Sequence, residues 1–250
     1  MRSMLGKMAV SSIAILLFFS ISGYSQTVDE IINKNIEAHG GLERLKQIKS
    51  VRMTGKLTSP QGVENPIVYM KKRPNFLRVE LTVQGMTGIQ AYDGQTAWYI
   101  IPFGGGTKDP QKLTGNESLD IIEQADFDGP LVDYKQKGNT VELMGKEVSE
   151  GAAAYKLKIT SQNGNVRYLY LDENTGLETK ASRIIKQGGG ELSIDSFFGD
   201  YRTIDGMVYA FSIVIKSEAQ PGPRYSIDKV EHNVDLEDSL FRMPVSQTTE

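Results

Sequence analysis

Lys71-Lys72-Arg73-Pro74-Asn75-Phe76-Leu77-Arg78-Val79-Glu80, followed by Ala91-Tyr92-Asp93-Gly94-Gln95-Thr96-Ala97-Trp98-Tyr99-Ile100-Ile101-Pro102-Phe103, is the stretch that decides the fold. Leu77, Val79, Leu81 and Val83 alternate with Arg78, Glu80 and Thr82, the period of a strand with one buried face. Asp93-Gly94 signals a tight hairpin turn. The strand after it carries the chain's single tryptophan, Trp98. The stretch holds no nucleophile, no metal-ligand set and no phosphate loop. It predicts sheet, not chemistry.

The same alternation runs outward from this stretch. Tyr155, Leu157 and Ile159 alternate with Lys156, Lys158 and Thr160, Leu169 and Leu171 with Tyr168 and Tyr170, and Phe211, Ile213 and Ile215 with Ser212, Val214 and Lys216. Turn signals separate the runs at Asp93-Gly94, Asn163-Gly164, Asn174-Thr175-Gly176 and Asp205-Gly206. One wet face and one buried face predict an antiparallel meander. Upstream, Thr27-Val28-Asp29-Glu30 is a capping box. Val28, Ile31, Ile32, Asn35/Ile36 and His39 then follow helical spacing until Gly40-Gly41. A short second helix presents Leu42, Leu45 and Ile48. Between Gly104 and Asn139 the strand pattern lapses. There Glu117–Asp126 reads as a helix with Leu119, Ile122 and Ala125 aligned, broken by Gly129-Pro130 and followed by the apolar pair Leu131-Val132.

These elements predict a single α+β domain over residues 26–250. Its strongly curved antiparallel sheet, an incomplete barrel of roughly ten strands, would have helices covering the concave side, because a large twisted sheet tends to curl. Residues 1–25 read as a cleavable signal peptide. Arg2 and Lys7 precede the apolar run Ile13–Phe19, and Gly23 and Ser25 stand at −3 and −1 of a cut before Gln26. The predicted location is the periplasm. With no cysteine, disulfides, thiolate metal sites and a lipidated cysteine are excluded. The formal charge of −3 gives no reason to expect nucleic acid.

Candidate catalytic groups carry little. Ser226-Ile227-Asp228-Lys229 matches S-x-x-K, but in a strand positions i and i+3 are expected on opposite faces. His39 and His232 lack ligand spacing and read as structural. Glycine runs at 104–106 and 188–190 lack the Lys-Ser/Thr and helix of a phosphate loop. Asp195/Asp200 and Glu237/Asp238 read as turn and surface carboxylates. No enzyme, metal or cofactor is predicted.

The basic-Pro-Asn lead-in at Arg73-Pro74-Asn75 and the D-G-x-T-x-W hairpin at Asp93–Trp98 resemble the LolA/LolB lipoprotein-carrier family. Leu113-Thr114-Gly115-Asn116 and the element order also look family-like. The resemblance implies a half-barrel whose apolar concavity carries lipoprotein acyl chains or another lipid toward the outer membrane. It also implies membrane-associated donor and acceptor proteins and a monomeric carrier. A sixteen-carbon chain in water is disfavoured by over ~10 kcal/mol at ~0.8 kcal/mol per CH₂, so nonspecific apolar shielding suffices. On this reading Met53, Val79, Leu81, Trp98, Ile100 and Phe103 form the wall, with Met70 and Met86 at its rim. Leu119, Ile122, Leu131 and Val132 form a lid. Family carriers latch that lid with an arginine, for which Arg52 and Arg78 are the candidates. The alternative is a LolA-like envelope sensor or binding module that contacts a regulatory protein.

Overall fold

The computed structural model describes residues 26–187, 190–217 and 221–245. The signal-peptide reading of residues 1–25 lies outside them. Thr27 caps helix α1 (Val28–Ala38) by the capping box, its hydroxyl accepting from the Glu30 amide while Glu30 accepts from the Thr27 amide. Helix α2 (Leu42–Gln47) follows. Strands β1 (Ser50–Thr58), β2 (Glu64–Lys72), β3 (Phe76–Val83), β4 (Met86–Tyr92), β5 (Ala97–Ile100) and β6 (Gln111–Lys112) precede helix α3 (Gly115–Ala125). Strands β7 (Thr140–Ser149), β8 (Ala152–Thr160), β9 (Val166–Asp172), β10 (Glu178–Gln187), β11 (Gly190–Ile204), β12 (Met207–Ser217) and β13 (Pro221–His232) complete the domain.

All thirteen strands join one open antiparallel sheet in the order β6-β5-β4-β3-β2-β1-β13-β12-β11-β10-β9-β8-β7. Thirteen strands exceed the roughly ten expected; β6 is only two residues long. The chain's two ends of sheet meet in the middle, where β1 pairs β13. This nonlocal pairing is the one ladder that the hairpin turns do not dictate.

The three helices share one face of the sheet, here called inner. Ile31 and Ile32 of α1 pack on Tyr155, Leu157, Ile159, Leu169 and Leu171. Beside α2, Ile48 and Val51 pack on Met207, Phe211 and Val230. Ile121 and Ala125 of α3 pack on Leu77, Tyr92 and Ala97. At the end of the sheet called the base, α1 and α2 abut the strand turns. Asn35 donates to the Gly176 carbonyl at 2.9 Å, and Arg44 to that of Gly206 at 3.2 Å. A Cβ on Gly40 would lie 2.3 Å from the Gly206 oxygen, so only glycine allows the α1–α2 turn to approach so closely. The hairpins at 59–63, 84–85 and 161–165 lie at the opposite end, the mouth.

The outer face is covered locally by the C-terminal segment after β13. Leu236 and Phe241 pack on Met70, with Phe76 and Val68 alongside. The Trp98 indole donates to the Phe241 carbonyl at 2.7 Å.

Candidate functional site

The cationic lead-in works as a three-way clasp. Lys71 points inward and donates to the Asp126 carbonyl at the end of α3 at 2.6 Å, with its ammonium 5.8 Å from the centre of the Phe127 ring. Burial pulls its amine down to about 8. Lys72 points outward to the Leu236 carbonyl and to Asp238. Arg73 reaches the Leu45 and Ile48 carbonyls and grips Asp128 with two nitrogens, at 2.5 and 3.0 Å. Burial alone would raise the Asp128 carboxyl, but Arg73 and Lys46 hold it below the ordinary range. Lys137 adds bonds to the Asp126 carboxylate and the Gly129 carbonyl.

Helix α3 is held at both ends by different means: just before its N-terminus β6 pairs β5 and the Leu113 amide donates to the Ala97 carbonyl at 2.8 Å. Its C-terminal loop is tied by Lys46, Lys71, Arg73 and Lys137, whereas its N-cap, Thr114, makes no side-chain cap bond. Along its length it bridges the sheet. Its apolar side sits on β3–β5, and its acidic side reaches the other wing. There Glu123 takes Arg167 of β9 and the Asn165 amide, and Asp120 takes Arg183 of β10 at 3.0 Å. Neither Arg52 nor Arg78 touches α3. Arg52 lies 3.7 Å from Glu231, and Arg78 bonds Glu80 and the Leu240 carbonyl on the outer face. Four other cations do the tying, because β2 ends at the base directly under the α3 loop.

Register assigns the wall. Leu77 under α3 faces Tyr92, which faces Ala97. Trp98 and Ile100, one residue out of phase with Ala97 and Tyr99, therefore point outward. This corrects their assignment to the cavity wall. Trp98 is 0% exposed because the C-terminal segment buries it. Met70 is likewise outward. On the inner face, Val79 packs beneath α3 and Met53 against the base cluster. Leu81 is half-buried in the mouth half. Phe103 lies against Gly88, where a Cβ would stand 2.9 Å from its ring. Met86 is exposed at the β3–β4 hairpin.

The lid candidates divide. Leu119 and Ile122 are half-buried, while Ile121 and Ala125 are the buried residues of α3. Leu131 and Val132 are 5% and 4% exposed. Leu131 belongs to the α1 core, so this pair is packing and not lid.

Sequence reasoning missed the opposite wall. Phe198 faces Ile213, Ile213 faces Tyr225, and Tyr225 faces Leu57, which puts all four in one inward row. Ile194, Ile215 and Ile227 flank it. All are half-buried, and none of the clusters beneath the three helices contains them except for Ile227 at an edge. The alternation Phe211, Ile213, Ile215 was the available signal, but it could not say which part of the strand a helix would cover. Among the described residues, no helix packs on this central row, and α3 reaches the inner face beside it only at Arg167 and Arg183. A polar cleft of about 380 Å³, between Lys72 and the 235–242 segment, lies on the other side of the sheet.

The S-x-x-K geometry also needs correction. A bulge near Asp228 sets Ser226 opposite Lys56 and Lys229 opposite Thr54, so both lie on the outer face. Lys229 is engaged with Glu231 at 2.6 Å. A bulge inserts one residue and restores the phase that simple alternation denies.

With this geometry in hand, the fold can be compared with solved structures. A DUF1329 family protein from Desulfovibrio piger superposes with a TM-score of 0.60 at 14% identity, covering 87% of this chain and 98% of the other. A LolA superfamily protein from Nitrosomonas europaea gives 0.56 at 16% identity, with 87% and 98% covered. This chain has the LolA-like fold. A Vibrio parahaemolyticus domain assigned to outer-membrane lipoprotein sorting gives 0.54 at 11% identity, with 85% and 94% covered. No family model matches the sequence, and no curated protein matches it. The Asp93–Trp98 stretch serves as scaffolding in this fold. The Asp93 carboxylate caps the Gln95 and Thr96 amides, Gly94 takes φ 87°, and Trp98 pins the C-terminal segment.

Proposed function

We propose that this protein is a periplasmic carrier that shields the acyl chains of a lipoprotein or another lipid in the mouth half of its inner face. The observation that carries the reading is the half-buried apolar row Phe198, Ile213, Tyr225 and Leu57, in phase with the face on which the helices pack. Apolar area left without a protein partner is stabilised by an apolar ligand at about 25 cal/mol per Å². Segments that must move to admit such a ligand come from the less stable parts of a fold, and α3, whose Asp120 pairs with the exposed Arg183 beside Ile194, is the segment proposed to move. Residues 1–25 would direct export, and transfer would end at the outer membrane.

Mass spectrometry of an organic extract of gently purified protein is the direct test, together with titration of a fluorescent fatty acid. Leu119→Asp combined with Ile122→Asp should weaken probe binding at least tenfold with a modest fall in urea midpoint. An empty extract together with no probe binding by the wild type would remove the carrier reading.

A further inference from the structure

Among the described strand residues, the inner face toward the mouth is mostly apolar, and it carries two cations. Arg167 and Arg183 are direct cross-strand partners on β9 and β10, both in phase with inward residues, since Ile159 faces Arg167 and Ile194 faces Arg183. Like charges directly opposite one another on a sheet repel. Their counter-charges both come from one element: Glu123 and Asp120 of α3. The Asp120–Arg183 pair is open to solvent, with side chains 40% and 46% exposed, and such a pair holds weakly. Glu123, 12% exposed, is the firmer partner. Tyr225, three strands away, is within electrostatic reach of Arg183. Burial raises its hydroxyl and the guanidinium charge opposes that rise. Ile194, the cross-strand partner of Arg183, flanks the apolar row, so a cationic fork and the start of the apolar strip meet at one place.

Resting on the carrier reading, we propose that Arg167 and Arg183 form a headgroup site, and that the cargo is an acyl chain ending in a carboxylate or phosphate. The two guanidinium groups suit a planar or tetrahedral oxyanion. Glu123 and Asp120 occupy this fork. An incoming anionic head displaces those carboxylates, releases the acidic side of α3 and leaves the chain to lie along Ile194, Ile213 and Phe198. Cargo binding and release of α3 are then one event, because both anions compete for the same pair of cations.

The test compares a fluorescent sixteen-carbon fatty acid with its methyl ester on the purified protein. The wild type should bind the acid about tenfold or more tightly than the ester at low salt, the size expected for one or two charge-assisted hydrogen bonds. Arg167→Gln combined with Arg183→Gln should erase the preference while ester binding remains. Arg183→Gln alone, at an exposed position, should reduce it without risk to folding. Asp120→Asn with Glu123→Gln should tighten acid binding by removing the internal competitor. Inorganic phosphate at micromolar concentration should not compete; competition would show a site for free anions and overturn the lipid assignment. Equal affinity for acid and ester in the wild type, or an undiminished preference in the Arg variants, would overturn the headgroup site and leave the carrier reading standing. Failure of both probes to bind would remove the two together.

Discussion

Leu157 and Ile213 both sit mid-strand on the inner face of the same sheet, yet one is wholly buried beneath α1 and the other half-buried with no helix upon it. The difference is not in the residues, which are equally apolar. It lies in where the helices fall. Helices α1 and α2 cover the base, and α3 crosses from β3–β5 toward β9–β10, so the central strands near the mouth stay uncovered. Half of the inner face works as a protein core. The other half has the same chemistry but lacks the partner that would complete it.

The sharpest way to break this comparison is to truncate both residues. Leu157→Ala should cost about 2–5 kcal/mol, since it empties a packed site. Ile213→Ala should cost less than half as much, because its surroundings are already partly open. Urea midpoints and slopes on both variants would show this, and equal losses would mean the mouth is as tightly packed as the base. The two ends of α3 provide a second contrast. Arg73→Ala leaves a mostly buried Asp128 short of its main partner and should destabilise by about 2–3 kcal/mol. Arg183→Ala removes an exposed pair and should fall within about 0.5 kcal/mol of wild type.

Trp98 sharpens the comparison between faces. Trp98→Phe should cost about 1–2 kcal/mol by leaving the buried Phe241 carbonyl unpaired, and should leave probe affinity unchanged. In the wild type, ligand titration should leave the emission of this single tryptophan nearly constant. A large spectral shift would place the indole at the ligand and reverse the face assignment.

The smallest effect concerns pH. The His39 Nδ1 donates to the Val208 carbonyl at 2.8 Å, and Nε2 meets Glu178 at 2.7 Å. Burial opposes the imidazolium, but Glu178 outweighs it and raises the His39 pKa above the ordinary 6.5. Burial likewise pushes Glu178 up, and His39 with Asn35 brings it net below 4.5. The His39 contribution is complete below about pH 6.5 and is lost as pH rises through its folded value. The Glu178 contribution is present above about pH 4.5 and is lost as pH falls through its folded value. The pair therefore supports α1 most between those limits. His39→Gln should flatten the fall in stability on going from pH 6.5 toward 8.5, followed by thermal melts; an unchanged slope would exclude the pair as its source.

Much of the architecture could be read from local pattern. The capping box of α1, the glycine turns and the period-two runs each report a preference of a few neighbouring residues, and each reappears in the fold. Phase errors entered where a single residue decides direction. Alternation puts Trp98 and Ile100 on one face but does not say which, and the covering of Trp98 comes from Phe241, a contact 143 residues away. Leu131 looked like lid because it follows α3, but its neighbours are on α1 and β8.

By itself the sequence determined which segments are strands and helices, where they turn, and that one face of the sheet is apolar, because propensity, capping and alternation act over short distances. Only the tertiary structure decided which apolar residues are core and which are left half-exposed. That depends on the β1–β13 pairing, on the bulge that rephases β13, and on the course of α3 across the sheet. None of these follows from local preference, since each is chosen by contacts between segments far apart in the chain.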